Sequence, residues 1–365
     1  MKIRLGLACF DGLLLLGCRA KDNFLKEAEN LALFFGLLQN GRVVDSGQTT
    51  CYDDIGYSMP CGGTSLPRQD ADYIGVPKPR SVSRPIRIEN PLFGETSLVT
   101  FDYGTGLVWT SCRLTVAGEP NTDLECNGNA QQLGQNFATQ YCNRLNTYTY
   151  GGRSSGWRLP SIRELRSLAE YGNSAQPYIS SISFPHGTGA WNSPPGVVMT
   201  NNEQIRIVFS DLLVSATGGA ATVFCVNGPP MTYGRFTFTV DGAVKDTDTG
   251  LVFTRCAKGQ NESADCAGTA DTMDWAQALT YCTNLSKGGR SWRLPGIHEL
   301  EVILSSIDAP YVDSNYFSNT TSSGYWTSTS ISSATNFAFI LMETGAYSKA
   351  GKTTPGSTAI CVSGP

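Results

Sequence analysis

The ten residues GWRLPSIREL at 156–165 recur as SWRLPGIHEL at 291–300, and the recurrence extends well beyond that phrase. TGLVWTSC at 105–112 returns as TGLVFTRC at 249–256, Cys126 is answered by Cys266, and NFATQYCNRL at 136–145 by AQALTYCTNL at 276–285. Pro177-Tyr178 is matched by Pro310-Tyr311, the triplet ending at Trp191 by the triplet ending at Trp326, and Cys225 by Cys361. The spacing drifts by a few residues while the order never changes, and all six tryptophans lie inside the two copies. A period this long specifies tandem globular domains, not a solenoid of short repeats. The chain must therefore fold into two homologous units, which divide it into 1–18 (leader), 19–40, 41–96 (lead-in), 97–229 and 230–365.

Each unit carries the same local grammar. TGLVW and TGLVF are short β-branched and aromatic runs after a glycine turn, hence strands. In the second unit Trp275, Leu279, Cys282 and Leu285 recur at helical spacing, and Thr272 or Asp271 is the expected N-cap. In the recurring phrase Trp292 and Leu294 alternate as in a strand. Pro295 then sits where a new helix can begin, and Ile297, Leu300 and Leu304 continue at helical spacing. Trp157, Leu159 and Pro160, followed by Ile162, Leu165 and Leu168, do the same in the first unit. Glu164 and Glu299 fall in the first helical turn, where a carboxylate favours the positive helix end by about 0.3–1 kcal/mol. The phrase is a strand-to-helix corner, a scaffold rather than a catalytic signature.

Cysteine is the strongest compositional signal. There are twelve, and their spacing suits oxidised pairs, which persist outside the cytosol. Cys51 and Cys61 close the short loop CYDDIGYSMPC, expected as a stapled β-hairpin, ahead of a proline-rich connector at 76–91. The four cysteines of each unit permit three pairings. The favoured set joins Cys112–Cys126 and Cys256–Cys266 as local staples, and the helix cysteines to the terminal strands as Cys142–Cys225 and Cys282–Cys361. Each long link contributes on the order of 4 kcal/mol on the chain-entropy account. The rival arrangement, thiolates around a metal, has no CxxC and no second ligand on either helix, so no metal is expected.

The amino terminus reads MKIRLGLACFDGLLLLGCRAK, a basic start and an apolar run too short to span a bilayer. Its end, Leu15-Leu16-Gly17-Cys18, resembles a bacterial lipobox, which implies diacylated Cys18 as the mature first residue. That would tether the protein to the cell envelope, at the outer membrane or cell surface of a bacterium; an ordinary secretory signal is the alternative. Phe24, Ala28, Leu31, Phe35 and Leu38 then form a helical stripe. It packs on its own domain or, as a stalk, supports homo-oligomers.

The series TGLVF, WAQALTYCTNL, GGRSWRLPGIHEL and GYWTST resembles the Lcl C-terminal domain, a family named from a bacterial collagen-like adhesin. DSGQTTCYDDIGYSMPC resembles the segment that often precedes it. The resemblance covers about residues 45 to 365. It implies an α+β chain of two tandem C-type-lectin-like domains, each a twisted antiparallel sheet with two helices, stapled by disulfides. In the first unit Gln135 replaces the helix tryptophan and residues 192 to 224 depart from the pattern. A more distant similarity is to formylglycine-generating enzymes, whose chemistry needs a redox-active cysteine pair late in the domain. Here Cys225 and Cys361 stand alone, each claimed by a helix cysteine.

The remaining candidates are weighed against ordinary structural roles. His186 and His298 are the two histidines, too few for a multi-histidine metal centre. His298 matches Arg163 and is expected on an exposed helix turn; His186 sits in a loop where it could touch a ligand. Tyr325 and Trp326, amid hydroxyl-rich residues, could stack on a sugar, but the match to Trp191 favours the core. Asp246 and Asp248 could hold Ca²⁺ or simply make a turn. The paired calcium-site triplets of true C-type lectins are missing, since GEPN at 118–121 precedes the helix. A net charge of −4 gives no global attraction to nucleic acid. These features lead to the expectation of a non-enzymatic surface protein without cofactor, whose partner is a glycan or a matrix or surface protein. An envelope structural module is the second expectation, and an oxidase of the formylglycine-generating type the third.

Overall fold

Each repeat is set by the same turn. Asp102 accepts from Gly106 N through its carbonyl (2.7 Å) and from Thr105 N through its carboxylate (3.1 Å); Asp246 does so with Gly250 N (2.9 Å) and Thr249 N (2.9 Å). Gly106 and Gly250 have φ of +73° and +78°, the left-handed conformation that glycine adopts without strain. The carboxylates considered for Ca²⁺ are consumed by this turn, and Asp248 pairs with Arg235. The structure, a computed structural model, describes residues 43–89, 96–114, 126, 132–172, 179–180, 182–185, 197–200, 206–208, 213–215, 220–232, 234–262, 265–304, 312–319, 323–331, 337–341, 345 and 347–364. Cys18, the stripe at 22–39, His186 and Trp191 lie outside them.

The turn joins two strands of the first sheet in each unit. In the first repeat Ile86–Glu89, Thr96–Asp102, Leu107–Thr110, Val226–Asn227 and Trp157–Arg158 lie side by side, all antiparallel. In the second, Phe236–Phe238, Val244–Asp246, Val252–Phe253 and Val362–Ser363 repeat the order, with Arg293 bridging Val362 at the far edge. Ile86–Glu89 lies within the proline-rich stretch expected as a connector. Its alternation of half-buried and exposed positions, with Ile88 inside, makes it an edge strand instead.

A second sheet follows in each unit. Val197–Met199, Arg206–Val208 and Leu213–Ser215 form a meander in the first, and Tyr325–Ser330, Phe337–Leu341 and Tyr347–Gly351 form one in the second. Parallel bridges Val198–Thr222 and Tyr325–Thr358 fix the correspondence. Trp326 therefore matches Met199, and not Trp191 as the sequence pattern suggests. The chain between the corner and this meander differs in length between the units, so a shared tryptophan is a misleading marker there.

Helices α1 (Gln135–Thr147) and α3 (Trp275–Asn284) correspond, as do α2 (Ile162–Ser167) and α4 (Ile297–Leu300). The N-cap of α3 is Asp274, which accepts from Gln277 N; Asp271 instead pairs with Lys258. Trp275 places its indole N–H on Thr327 O at 2.9 Å, and Gln135 places its amide on Thr200 O at 3.0 Å. The glutamine thus reproduces the hydrogen bond of the tryptophan it replaces. Disulfides join Cys142 to Cys225 and Cys282 to Cys361, tying α1 and α3 to the terminal strands, and Cys112 to Cys126 and Cys256 to Cys266 as short staples.

Both corners are built alike. Trp157 and Trp292 are buried with their indole N–H groups on Tyr150 O and Lys287 O, and Leu159 and Leu294 lie beside them in the same cores. Pro160 and Pro295 precede the N-caps Ser161 and Gly296 instead of opening the helix. The N-cap N–H must stay free, because Glu164 and Glu299 fold back to accept from it at 2.7 and 2.8 Å. The same carboxylates hold Arg158 and Arg293 as bidentate pairs.

Every residue of α2 and α4 is buried, polar ones included, and α2 meets the turn that follows α4 across the repeats. Arg163 donates to Glu301 O, Arg166 pairs with the Glu301 carboxylate at 2.8 Å, and one apolar cluster runs from Trp109, Ile162 and Leu165 to Phe253, Ile297 and Leu300. The lead-in straps this junction. Arg80 donates to the carbonyls of Ser167, Leu168 and Ala169 at the end of α2, Gln48 pairs with Ser330, and Asp70 accepts from Thr329. Lead-in and both repeats make one compact unit, Asn40–Pro365.

Candidate functional site

The residues singled out from the sequence divide sharply. Tyr325 and Trp326, considered as a sugar platform, are 2% and 0% exposed, and the Trp326 indole N–H is spent on Met273 O. They are core, because their strand is covered on both faces. His298 is likewise buried, not exposed: its Nδ1 meets Val44 O at 3.0 Å and its ring lies edge-on to Tyr171. Burial, with Arg80 nearby, pushes its pKa down to about 4, so the ring stays neutral at pH 7. Cys225 and Cys361, the late cysteines, have their sulfurs in disulfides. Among the described residues, one group places three metal-type ligand atoms together, Cys51, Cys61 and Asp72, and both sulfurs there form a disulfide.

What remains at the surface is an aromatic and cationic face on the second repeat. Phe236 and Phe238 share one side of an edge strand; Phe236 is buried, while Phe238, two residues on, is 50% exposed. The turn after Asp313, whose carbonyl accepts from Tyr316 N and Phe317 N, delivers two more rings. Phe317 packs inward on Phe236 and Phe253, and half-buried Tyr316 lies 5.4 Å from Phe236 and 5.0 Å from Phe238. The rings thus form a ladder from core to solvent.

Arg255 closes the top of the ladder. Its guanidinium carbon stands 4.7 Å from the Phe238 ring centroid, and its Nε is buried without a hydrogen-bond partner among the described residues. Five other cations of this repeat are in ion pairs: Arg235 with Asp248, Lys258 with Asp271, Lys287 with Glu262, Arg290 with Asp241 and Arg293 with Glu299. Arg255 instead rests on a ring, an arrangement worth about 0.5–1 kcal/mol at an exposed site, with its donors left for another acceptor. The first repeat has Ser111 here, buried and hydrogen-bonded to Thr100. Sequence reasoning passed over all three residues. The signal for Arg255 was present in the change from TSC to TRC between the copies, and that for Phe238 in the Phe-Thr-Phe alternation.

The family model described as the Lcl C-terminal domain matches residues 98–227 and again 242–363. The chain belongs to the Lcl C-terminal domain family. No curated protein and no solved structure matches it. The first matched region opens within the strand Thr96–Asp102, and the second opens in the turn just before the strand Val244–Asp246. Phe238, at the edge of the second sheet, lies just ahead of the second matched region.

Proposed function

We propose that this protein is a lipid-anchored, non-enzymatic binding protein of a bacterial envelope, adhesive toward a glycan or an extracellular-matrix ligand. The observation that carries this reading is exposed Phe238 grouped with half-buried Tyr316 and Arg255. Aromatic faces stack on the apolar faces of sugars, and a guanidinium without a carboxylate partner supplies directed donors at their edge. Supporting it, both repeats devote their recurring chemistry to corners and staples, and the late cysteines are locked in disulfides, which counts against oxidase chemistry. The helix tied by disulfide to the last strand in each repeat is consistent with a C-type-lectin-like fold. The lipobox-like Leu15-Leu16-Gly17-Cys18 is the basis for the anchor; among the described residues no helix is long and apolar enough to cross a membrane.

Binding of residues 40–365 to a glycan array and to immobilised matrix proteins, with a salt series, tests the site. Phe238→Ala and Arg255→Gln should each weaken binding about tenfold or more, and salt should weaken the wild type more than Arg255→Gln. Equal binding by the wild type and both variants would remove the site. A second reading, a module that docks another envelope protein, is favoured by exposed Ile55 and Tyr57 at the tip of the Cys51–Cys61 hairpin. Its signature is capture of such a protein that is lost on Tyr57→Ser and kept on Phe238→Ala. Loss of the membrane fraction in Cys18→Ala tests the anchor.

A further inference from the structure

One disulfide differs from the other four by its access to solvent. Of the ten cysteines in the described residues nine are buried, and Cys61 is exposed while its partner Cys51 is buried. The bridge closes a hairpin of two two-residue strands, Cys51–Tyr52 and Ser58–Met59, which pair with each other and extend no other sheet.

That hairpin covers a buried amine. Lys352 is 1% exposed; its Nζ donates to Asp53 O at 2.8 Å and sits 4.3 Å from the Trp275 ring centroid and 5.7 Å from that of Tyr52. Met59 packs on the core that contains Trp275, and Tyr52 exchanges two backbone hydrogen bonds with the Gln69 amide. Burial brings the Lys352 pKa down to about 8, so a fraction of the amine is neutral and nucleophilic near neutral pH but shielded.

We propose that the Cys51–Cys61 bridge is a thiol-operated clip: a small dithiol reaches it in the folded protein, and opening it uncovers Lys352 and Trp275 while the four bridges of the repeats stay closed. One thiolate of the dithiol attacks Sγ of the exposed residue Cys61, the S–S bond breaks, and its electron pair leaves with Cys51 Sγ. Cys51 Sγ, released as a thiolate, takes up a proton from water. The second dithiol sulfur, as thiolate, displaces Cys61, which is protonated in turn, and the reagent departs as a cyclic disulfide. Two electrons and two protons pass from the dithiol to the cysteine pair. This clip is independent of any ligand at Phe238.

The experiment treats residues 40–365, under native conditions, with rising dithiothreitol. Free thiols are alkylated and mapped by mass, and amine acylation at Lys352 and tryptophan emission are followed in parallel. Cys51 and Cys61 should label at dithiol concentrations at least about tenfold below those that open any other bridge. Lys352 acylation should rise several-fold in step, with a change in emission from Trp275. Prior opening of another bridge, simultaneous opening of all five, or open Cys51 and Cys61 with Lys352 still protected would overturn the proposal. The double variant Cys51→Ser, Cys61→Ser should show the labelled Lys352 without dithiol; if it does not fold, the wild-type ordering decides alone.

Discussion

Asp70 and His298 both lie in the buried seam between the lead-in strap and the second repeat, and their proton equilibria oppose each other. Burial raises the Asp70 pKa from 3.8 to about 6, against the hydroxyls of Ser46 and Thr329 and with repulsion from Asp45 and Glu299 added. Burial lowers the His298 pKa from 6.5 to about 4. For Asp70 the folded pKa is raised, so its stabilisation is complete below pH 3.8 and lost as pH rises through about 6. For His298 the unfolded chain takes a proton below 6.5 that the folded one refuses until about 4, so its contribution falls as pH drops across the same window. At 1.36 kcal/mol per unit each amounts to about 3 kcal/mol, with opposite signs. Relative to the wild type, Asp70→Asn should lose about 2 kcal/mol of stability more on acidification from pH 6.5 to pH 4. His298→Asn should show the opposite difference. Denaturant melts at four pH values read both, and curves parallel to the wild type would show that neither group titrates as its surroundings require.

At the scale of elements, the strand-to-helix corner explains why one phrase is written twice. Tryptophan and leucine fill each core, proline sets the entry, and one glutamate both caps the helix and neutralises the arginine between the tryptophan and the leucine. Glu299 and Arg293 are both buried, whereas Arg158, partner of Glu164, is 26% exposed. Glu299→Gln should therefore cost about 3–5 kcal/mol by stranding a buried guanidinium, and Glu164→Gln about 1–3 kcal/mol because Arg158 can hydrate. Equal losses in urea melts would contradict that ranking. A cap gives the converse case. Gly134, the N-cap of α1, has extended backbone, no capping side chain and open space at its Cβ position. Gly134→Asp should raise stability by about 0.5–1 kcal/mol, seen as a higher melting temperature. This much of the fold was legible in sequence, because period, proline and capping residues act within a few residues of one another. Trp326 reads as core in the sequence, though on a mistaken match to Trp191, and His298 was not legible. Whether a tryptophan in a serine-rich strand faces in or out, and whether a helix turn is exposed, depends on a sheet and a neighbouring repeat far away in the chain. Phe238, Tyr316 and Arg255 were missed for the same reason, since three separate segments bring them together.

At the scale of the molecule, the two homologous units are not beads on a string. Corner helices α2 and α4 are buried throughout, and apolar residues of both belong to one cluster that spans the two repeats. Rings cross the junction as well, with Tyr171 edge-on to His298 and to Phe339. Its polar centre is Arg166, which pairs with Glu301, stacks 3.9 Å from the Tyr347 centroid and donates to Gly345 O; Glu301 also accepts from the Tyr347 hydroxyl at 2.9 Å. Such a buried pair adds little net stability over apolar residues, yet it penalises any docking in which one partner lacks the other. Glu301→Gln leaves Arg166 with its charge uncompensated and should cost about 3–5 kcal/mol, while Arg166→Met with Glu301→Met should cost less than that single change. Because the junction belongs to both repeats, calorimetry should show one endotherm for the wild type, with calorimetric and van't Hoff enthalpies equal. In Glu301→Gln the whole endotherm should move down together. Two endotherms, with only one displaced, would mean that the repeats fold as independent bodies and that the shared core contributes nothing to their cohesion.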